Sequence, residues 1–241
     1  MDQPPDVSNL RVKIFADGAD LDSIRELAAN PLIKGFTTNP TLMRKAGVTD
    51  YERFGRELLQ LVPDRPISFE VFADDFGDME RQALKIASWG DNVYVKVPVT
   101  SISGESAVSL IRSLSDEGVK VNVTAMLTVA QVEQVVPALR GSAGGYVSVF
   151  AGRAADAGCD PVPIMQGALR AIEDLPDVEL IWASPRELLN IVQAHWIGCD
   201  VITVTSDLLA KLGTIGRDLE EFSLATVRMF SDDARASGFA L

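Results

Sequence analysis

Histidine is almost missing from this sequence: among 241 residues there is one, His195. A zinc site with two or three histidine ligands cannot be assembled from it. A Ser-His-Asp arrangement would have to use His195 alone, on a stretch that reads as helix, so a helix-packing role is expected. Cysteine is nearly as scarce. Cys159 and Cys199 form no metal or redox spacing and are expected to be small buried residues. No apolar run is long enough to span a bilayer, which argues against a membrane partner. The start, Met1-Asp2-Gln3-Pro4-Pro5-Asp6, lacks the basic and apolar regions of a signal peptide, so a cytoplasmic protein is expected. Basic residues are outnumbered, 22 against 34, giving a formal net charge of −12. That argues against DNA or RNA as a partner but leaves room for a small phosphorylated ligand held by a few local arginines.

What is present is an ordinary globular composition, 47% hydrophobic and 23% charged, at a length that suits one large domain over 1–241. Short β-branched runs alternate with helical patterns, the signature of a parallel α/β fold. The expected strands are 11–17, 33–39, 66–71, 93–97, 119–124, 145–150, 178–184 and 200–205. Helices are expected over 74–88, 104–115, 128–139, 161–173 and 185–195. Asn39-Pro40, Asp160-Pro161 and Ser184-Pro185 each put proline where a first helical residue should fall. A further helix, about 218–234, is left over after the eighth unit.

Side chains alternate across a strand, and the parity here is informative. Asp17, Thr37 with Asn39, Ser68 with Glu70, Tyr94 with Lys96, and Asn122 with Thr124 each share one face. So do Ser148 with Phe150, Trp182 with Ser184, and Thr203 with Thr205. Opposite faces carry Ile14, Val71, Val95, Val97, Val121, Val123, Val147 and Ile181, among others. If the apolar faces pack on helices, the polar ones converge at the carboxyl end of a (β/α)8 barrel. A doubly wound sheet would advertise a glycine-rich turn after its first strand, and Ala16-Asp17-Gly18-Ala19-Asp20 is not one.

Lys96, in Val93-Tyr94-Val95-Lys96-Val97-Pro98, is the candidate nucleophile. An amine held among apolar groups can attack a carbonyl to form an imine. The strand alone would equally suit a lysine paired with a carboxylate. Lys13 and Lys120 share the inward parity but lie near the amino ends of their strands, where structural roles are expected. Asp17 and Glu70 are inward carboxylates, suited to acid/base work or to ion pairs. Arg153, Ser184 and Arg186 are candidates for phosphate, or solvated loop residues. Ser184-Pro185 would also open a helix whose backbone N–H groups face the barrel mouth.

Phe15-Ala16-Asp17, the run Gly35 to Leu42 with its Thr37-Thr38-Asn39-Pro40 core, and Val95 to Thr100 resemble transaldolase motifs. So do Asn122-Val123-Thr124, Ser148 to Arg153, and Ala183-Ser184-Pro185-Arg186. The short length resembles the compact transaldolase and fructose-6-phosphate aldolase branch. The resemblance implies an imine on Lys96, with Asp17 the acid/base for the substrate's C4 hydroxyl. Glu70 would shuttle a proton through a water near Thr124. Asn39 and Asn122 would hold substrate hydroxyls with Thr37 and Ser148 alongside, and Arg153, Ser184 and Arg186 would hold the phosphate of a sugar phosphate. No metal or organic cofactor is implied. Glu70 and Phe150 stand where the aldolase branch has Gln and Tyr, which favours transfer over simple cleavage. An aldolase, or a non-catalytic sugar-phosphate-binding barrel, are the alternatives. Two departures from the family pattern are Phe36 and the segment Ser184-Pro185-Arg186-Glu187, where Ser-Phe-Arg-Asn is usual.

The leftover helix carries Leu219, Phe222, Leu224, Val227, Met229 and Phe230, too many large apolar groups to leave in water. It either caps its own barrel or meets another copy. The resemblance implies a homo-oligomer, a pentameric ring or a paired ring of ten.

Overall fold

Eight parallel strands close into one barrel in sequence order. They are β1 (Lys13–Asp17), β2 (Ile33–Thr37), β3 (Ile67–Glu70), β4 (Val93–Pro98), β5 (Val121–Met126), β6 (Gly145–Val149), β7 (Val178–Trp182) and β8 (Val201–Thr205). The computed structural model describes residues 4–238. Met1, Asp2 and Gln3, on which the reading of the N-terminus partly rests, lie outside the described residues. Among the described residues no helix is long and apolar enough to cross a membrane.

Several of the helices begin where a side chain can satisfy the orphan backbone N–H groups. Asp20 caps α1 (Leu21–Ala28), Asn39 caps α2 (Pro40–Lys45), Asp50 caps α3 (Tyr51–Leu61) and Asp75 caps α4 (Phe76–Ala87). After α5 (Val108–Asp116), Thr128 and Gln131 form a reciprocal capping box at α6 (Val129–Leu139). A short α7 (Ala151–Asp156) follows β6, and Asp160 with Pro161 starts α8 (Pro161–Ala171). The chain continues through α9 (Leu189–Ile197), α10 (Ser206–Leu209) and α11 (Leu219–Ser237).

Two layers of apolar packing hold the barrel. The outer one lies between strands and helices and includes Ile14, Val95, Val97, Val123, Val147, Ile202 and Trp182. The inner one fills the barrel axis with Phe15, Tyr146, Ile181, Ala183 and Val201, against Tyr94 and Phe150. Phe15 meets Tyr146 edge-on, with ring centroids 5.6 Å apart. Glycine at 35 is what admits that ring: a Cβ there would sit 2.7 Å from Phe15. Each large side chain removed from water in this way contributes about 1.5–3 kcal/mol. At the amino end Lys13 pairs with Glu179, and Lys120 donates to the Asp91 carbonyl and lies over the Tyr94 ring. Both lysines are structural there.

Three expectations need correction. On β7 it is Ile181 and Ala183 that face the axis, whereas Trp182 points out among the helices. Phe15 and Tyr146 already fill the axis, and the largest side chain of β7 lies in the outer layer. Ser184-Pro185 does not open a helix. Ser184 takes the left-handed conformation (φ 62°), and α9 starts only at Leu189. The Asn190 Oδ1 accepts the backbone N–H groups of Arg186 (2.8 Å) and Glu187 (3.2 Å), so those donors do not face the barrel mouth. Cys159 is exposed, in the turn after α7, and only Cys199 is buried.

His195 packs as expected. It is buried on α9, and its Nδ1 accepts the Arg11 backbone N–H at 3.0 Å. The helix α11 buries none of its residues, so it does not cap its own barrel. Leu219, Val227 and Phe230 are 79%, 60% and 63% exposed.

Candidate active site

The carboxyl ends of the strands surround a cavity of about 490 Å³. Strand register explains who lines it. Glu70 pairs with Lys96, Lys96 with Asn122 and Pro98 with Thr124, while Asp17 pairs with Thr37 and Thr205. Neighbouring inward residues therefore stand at similar heights. Lys96, Asp17, Glu70 and Thr124 all line the cavity, as do Thr37, Asn39, Asn122 and Ser148. Phe150, Arg153, Ser184 and Arg186 line it as well. All twelve residues singled out from the sequence thus share one concavity.

Lys96 is at its centre in chemical terms and is 7% exposed. Its Nζ donates to the Thr38 carbonyl at 3.0 Å and lies 3.2 Å from a Glu70 carboxylate oxygen. The buried lysine is thus paired with a carboxylate and also lines the cavity. Asp17 accepts from the Thr37 hydroxyl at 2.8 Å and from the Asn39 amide at 3.4 Å. Asn39 is able to reach back because it caps α2, its Oδ1 taking the Leu42 N–H. Burial pushes the Asp17 carboxyl above its ordinary value, against the Lys96 charge and the Thr37 hydrogen bond; Glu70 pushes the same way as burial. A carboxyl shifted upward is better matched to proton transfer near neutral pH.

The wall opposite is a buried hydrogen-bonded row. The Ser148 hydroxyl donates to Asn122 Oδ1 at 2.7 Å, and Asn122 Nδ2 donates to the Ser68 hydroxyl at 3.0 Å. Thr124 is buried, and its hydroxyl has no hydrogen-bond partner among the described residues. The next residue, Ala125, takes a left-handed φ of 64° where the β5–β6 register shifts, an irregularity at the cavity wall before Met126 pairs with Val149.

The rim on the β6–β7 side is cationic. Arg153 lies over the Phe150 ring, 5.3 Å from its centroid, and makes no ion pair among the described residues. Arg186 forks onto Asp156, its Nε 3.0 and 3.1 Å from the two carboxylate oxygens. Ser184 reaches the cavity through its left-handed turn rather than through strand parity. Glu187, the extra negative charge in this segment, does not line the cavity. Phe36, the other departure, is buried in the outer layer with Arg65 over its ring.

Some participants were not foreseen. Thr38 contributes only a carbonyl, which no sequence pattern marks. Thr203 and Thr205 line the cavity, and their inward parity was the available signal. Tyr51 hydrogen-bonds the Glu70 backbone from α3, and nothing in the strand patterns points to it. Among the described residues no group of three or more His, Cys, Asp or Glu side chains is gathered as a metal site.

The closed (β/α)8 barrel thus gathers a buried lysine, two carboxylates and two rim arginines around one cavity. Comparison identifies the family. The profile of the Transaldolase/Fructose-6-phosphate aldolase family matches residues 14–241. A probable transaldolase of Thermoanaerobacter sp. (strain X514) is 35% identical over 231 residues, covering 95% of this chain and 100% of that one. A probable transaldolase of Dehalococcoides mccartyi is 34% identical over 202 residues, covering 83% and 90%. The chain belongs to the transaldolase/fructose-6-phosphate aldolase family. Among solved structures, dihydrodipicolinate synthase from Rhodopseudomonas palustris superposes with a TM-score of 0.57 at 14% identity, covering 97% of this chain and 82% of that one. That likeness concerns the fold alone.

Proposed function

We propose that this protein is a transaldolase, moving a dihydroxyacetone unit from a ketose phosphate to an aldose phosphate through an imine on Lys96. The observation that carries the reading is the setting of the Lys96 Nζ, buried between the Thr38 carbonyl and Glu70 and open to a cavity with two rim arginines. Its nitrogen attacks the ketose carbonyl carbon, and Glu70, 3.2 Å away, accepts and returns protons as water leaves. A water bridging the Thr124 hydroxyl and Glu70 would extend that relay. Asp17 takes the C4 hydroxyl proton as the C3–C4 bond breaks, and the bonding electrons pass into the enamine. An aldose then accepts the enamine carbon, and Asp17 gives the proton back to the new hydroxyl.

Asn39, Asn122, Thr37 and Ser148 hold hydroxyls of the bound unit, and Arg153, Ser184 and Arg186 hold the phosphate. Sugar phosphates are its partners, and no metal or organic cofactor takes part. The relatives named probable transaldolases and the carboxylate at 70 support transfer rather than simple cleavage. Borohydride with a ketose phosphate should add mass to the peptide carrying Lys96, and Lys96→Ala should abolish the adduct. Labelling that survives in the variant, or that lands on Lys13 or Lys120, overturns the mechanism. Product analysis with and without an aldose acceptor separates transferase from aldolase.

A further inference from the structure

Arg186 lines the cavity while its Nε edge is already bound to Asp156, and Asp156 itself does not line the cavity. The carboxylate therefore holds the guanidinium from behind and does not occupy the ligand's position. The short helix α7 supplies the whole bracket. Gly152 and Asp156 are four residues apart and so share one face. A Cβ at Gly152 would lie 3.3 Å from the Arg186 Nε and 1.6 Å from the Ser184 carbonyl oxygen. Only glycine lets the Ser184 turn and the arginine lie against this helix. The backbone beneath is held as well, because the Asn190 Oδ1 ties down the N–H groups of Arg186 and Glu187.

We infer that Asp156 is a positioning residue that aims Arg186 at an anionic group of the substrate. This rests on reading Arg186 as a phosphate ligand. With the Nε edge engaged by Asp156, Nη1 is left to meet a phosphate oxygen, beside Arg153 on its Phe150 platform. An arginine left to wander would lose rotamer entropy on every binding event, and one held by a carboxylate has already lost it. The hydrogen bond from Arg186, with its charge, in turn holds the Asp156 carboxyl below its ordinary value, so the bracket stays ionised across the neutral range.

The test uses the full chain, a phosphorylated ketose, its unphosphorylated analogue, and inorganic phosphate as a competitive inhibitor. Asp156→Ala should raise KM for the phosphorylated ketose and Ki for phosphate severalfold, leaving kcat and the KM of the analogue unchanged. Asp156→Asn should recover part of the loss, since an amide oxygen still accepts from Nε. In an Arg186→Ala background, Asp156→Ala should have no further effect. A purely structural residue would affect both substrates alike and would add to Arg186→Ala. If Arg186→Ala weakens phosphate binding but Asp156→Ala leaves it unchanged or tightens it, the positioning role is refuted and the phosphate site stands. If Arg186→Ala itself leaves Ki for phosphate unaltered, the phosphate assignment falls and this inference with it.

Discussion

The phenol of Tyr51 closes the end of β3: its hydroxyl accepts the Glu70 N–H at 2.8 Å and donates to the Glu70 carbonyl at 3.0 Å. The ring is held edge-on by Phe69, Phe72 and Trp89. The Glu70 carboxylate thus hangs from a backbone clamped by one side chain of α3. Tyr51→Phe keeps the ring packing and leaves both backbone groups without that partner. We expect a loss of about 1–3 kcal/mol in stability, and about 2–4 °C in Tm for each kcal/mol at this chain length. Calorimetry checks the first, and a lower rate of borohydride trapping checks the slackened Glu70. Unchanged Tm and trapping would mean that water replaces the phenol at no cost.

Asp17 should cost the fold stability at neutral pH. Its folded-state ionisation lies above the ordinary 3.8, chiefly through burial. Below that ordinary value the carboxyl is protonated in both folded and unfolded chains, so it costs nothing. As pH rises the unfolded chain releases the proton first, stability falls, and the full penalty holds above the folded-state value. Asp17→Asn should therefore be more stable than the parent at about pH 7, and the gain should shrink as pH drops toward about 4. Activity should be lost while Lys96 still traps a ketose. Denaturant melts at several pH values decide it, and a variant that is less stable at neutral pH contradicts the assignment.

Glu70→Gln combined with Phe150→Tyr should shift the protein from transfer toward cleavage. An amide cannot take up a proton near neutral pH, and a phenol can hold a water against the enamine. Release of free dihydroxyacetone without acceptor should be slow in the parent and faster in the double variant. If the parent releases it as fast alone as it transfers with acceptor, the aldolase reading replaces the one proposed.

The chain should assemble through α11, whose Leu219, Val227 and Phe230 are exposed and none of whose residues is buried. A pentamer or a decamer is the expected product. Light scattering at low concentration should give a mass well above 26.0 kDa, collapsing when the chain is cut near Gly216. A monomer refutes assembly.

The barrel was legible because each strand is buried on its helix-facing side by β-branched residues and carries polar groups on alternate positions. Lys96, Asp17 and Glu70 could be found that way, since their neighbours in register lie at predictable heights. Strand β7 was misread for a physical reason. Counting Ser184 as part of the strand put Trp182 on the inward parity, whereas β7 ends at Trp182 and it is Glu179 and Ile181, followed by Ala183, that face inward. The Ser184 turn escaped for another: proline after serine fits a helix start and a loop equally well.

Local sequence determined the periodicity, the caps such as Asn39 and Asp160, and the inward parity of a lysine and two carboxylates on their own strands, because these depend on residues a few positions apart. Only the closed barrel decided that the Lys96 Nζ meets the Thr38 carbonyl, that Tyr51 clamps Glu70, and that Asp156 faces Arg186 across 30 residues of chain. Such contacts join atoms separated by whole βα units, and their geometry follows from strand register and from which side chains have already filled the axis.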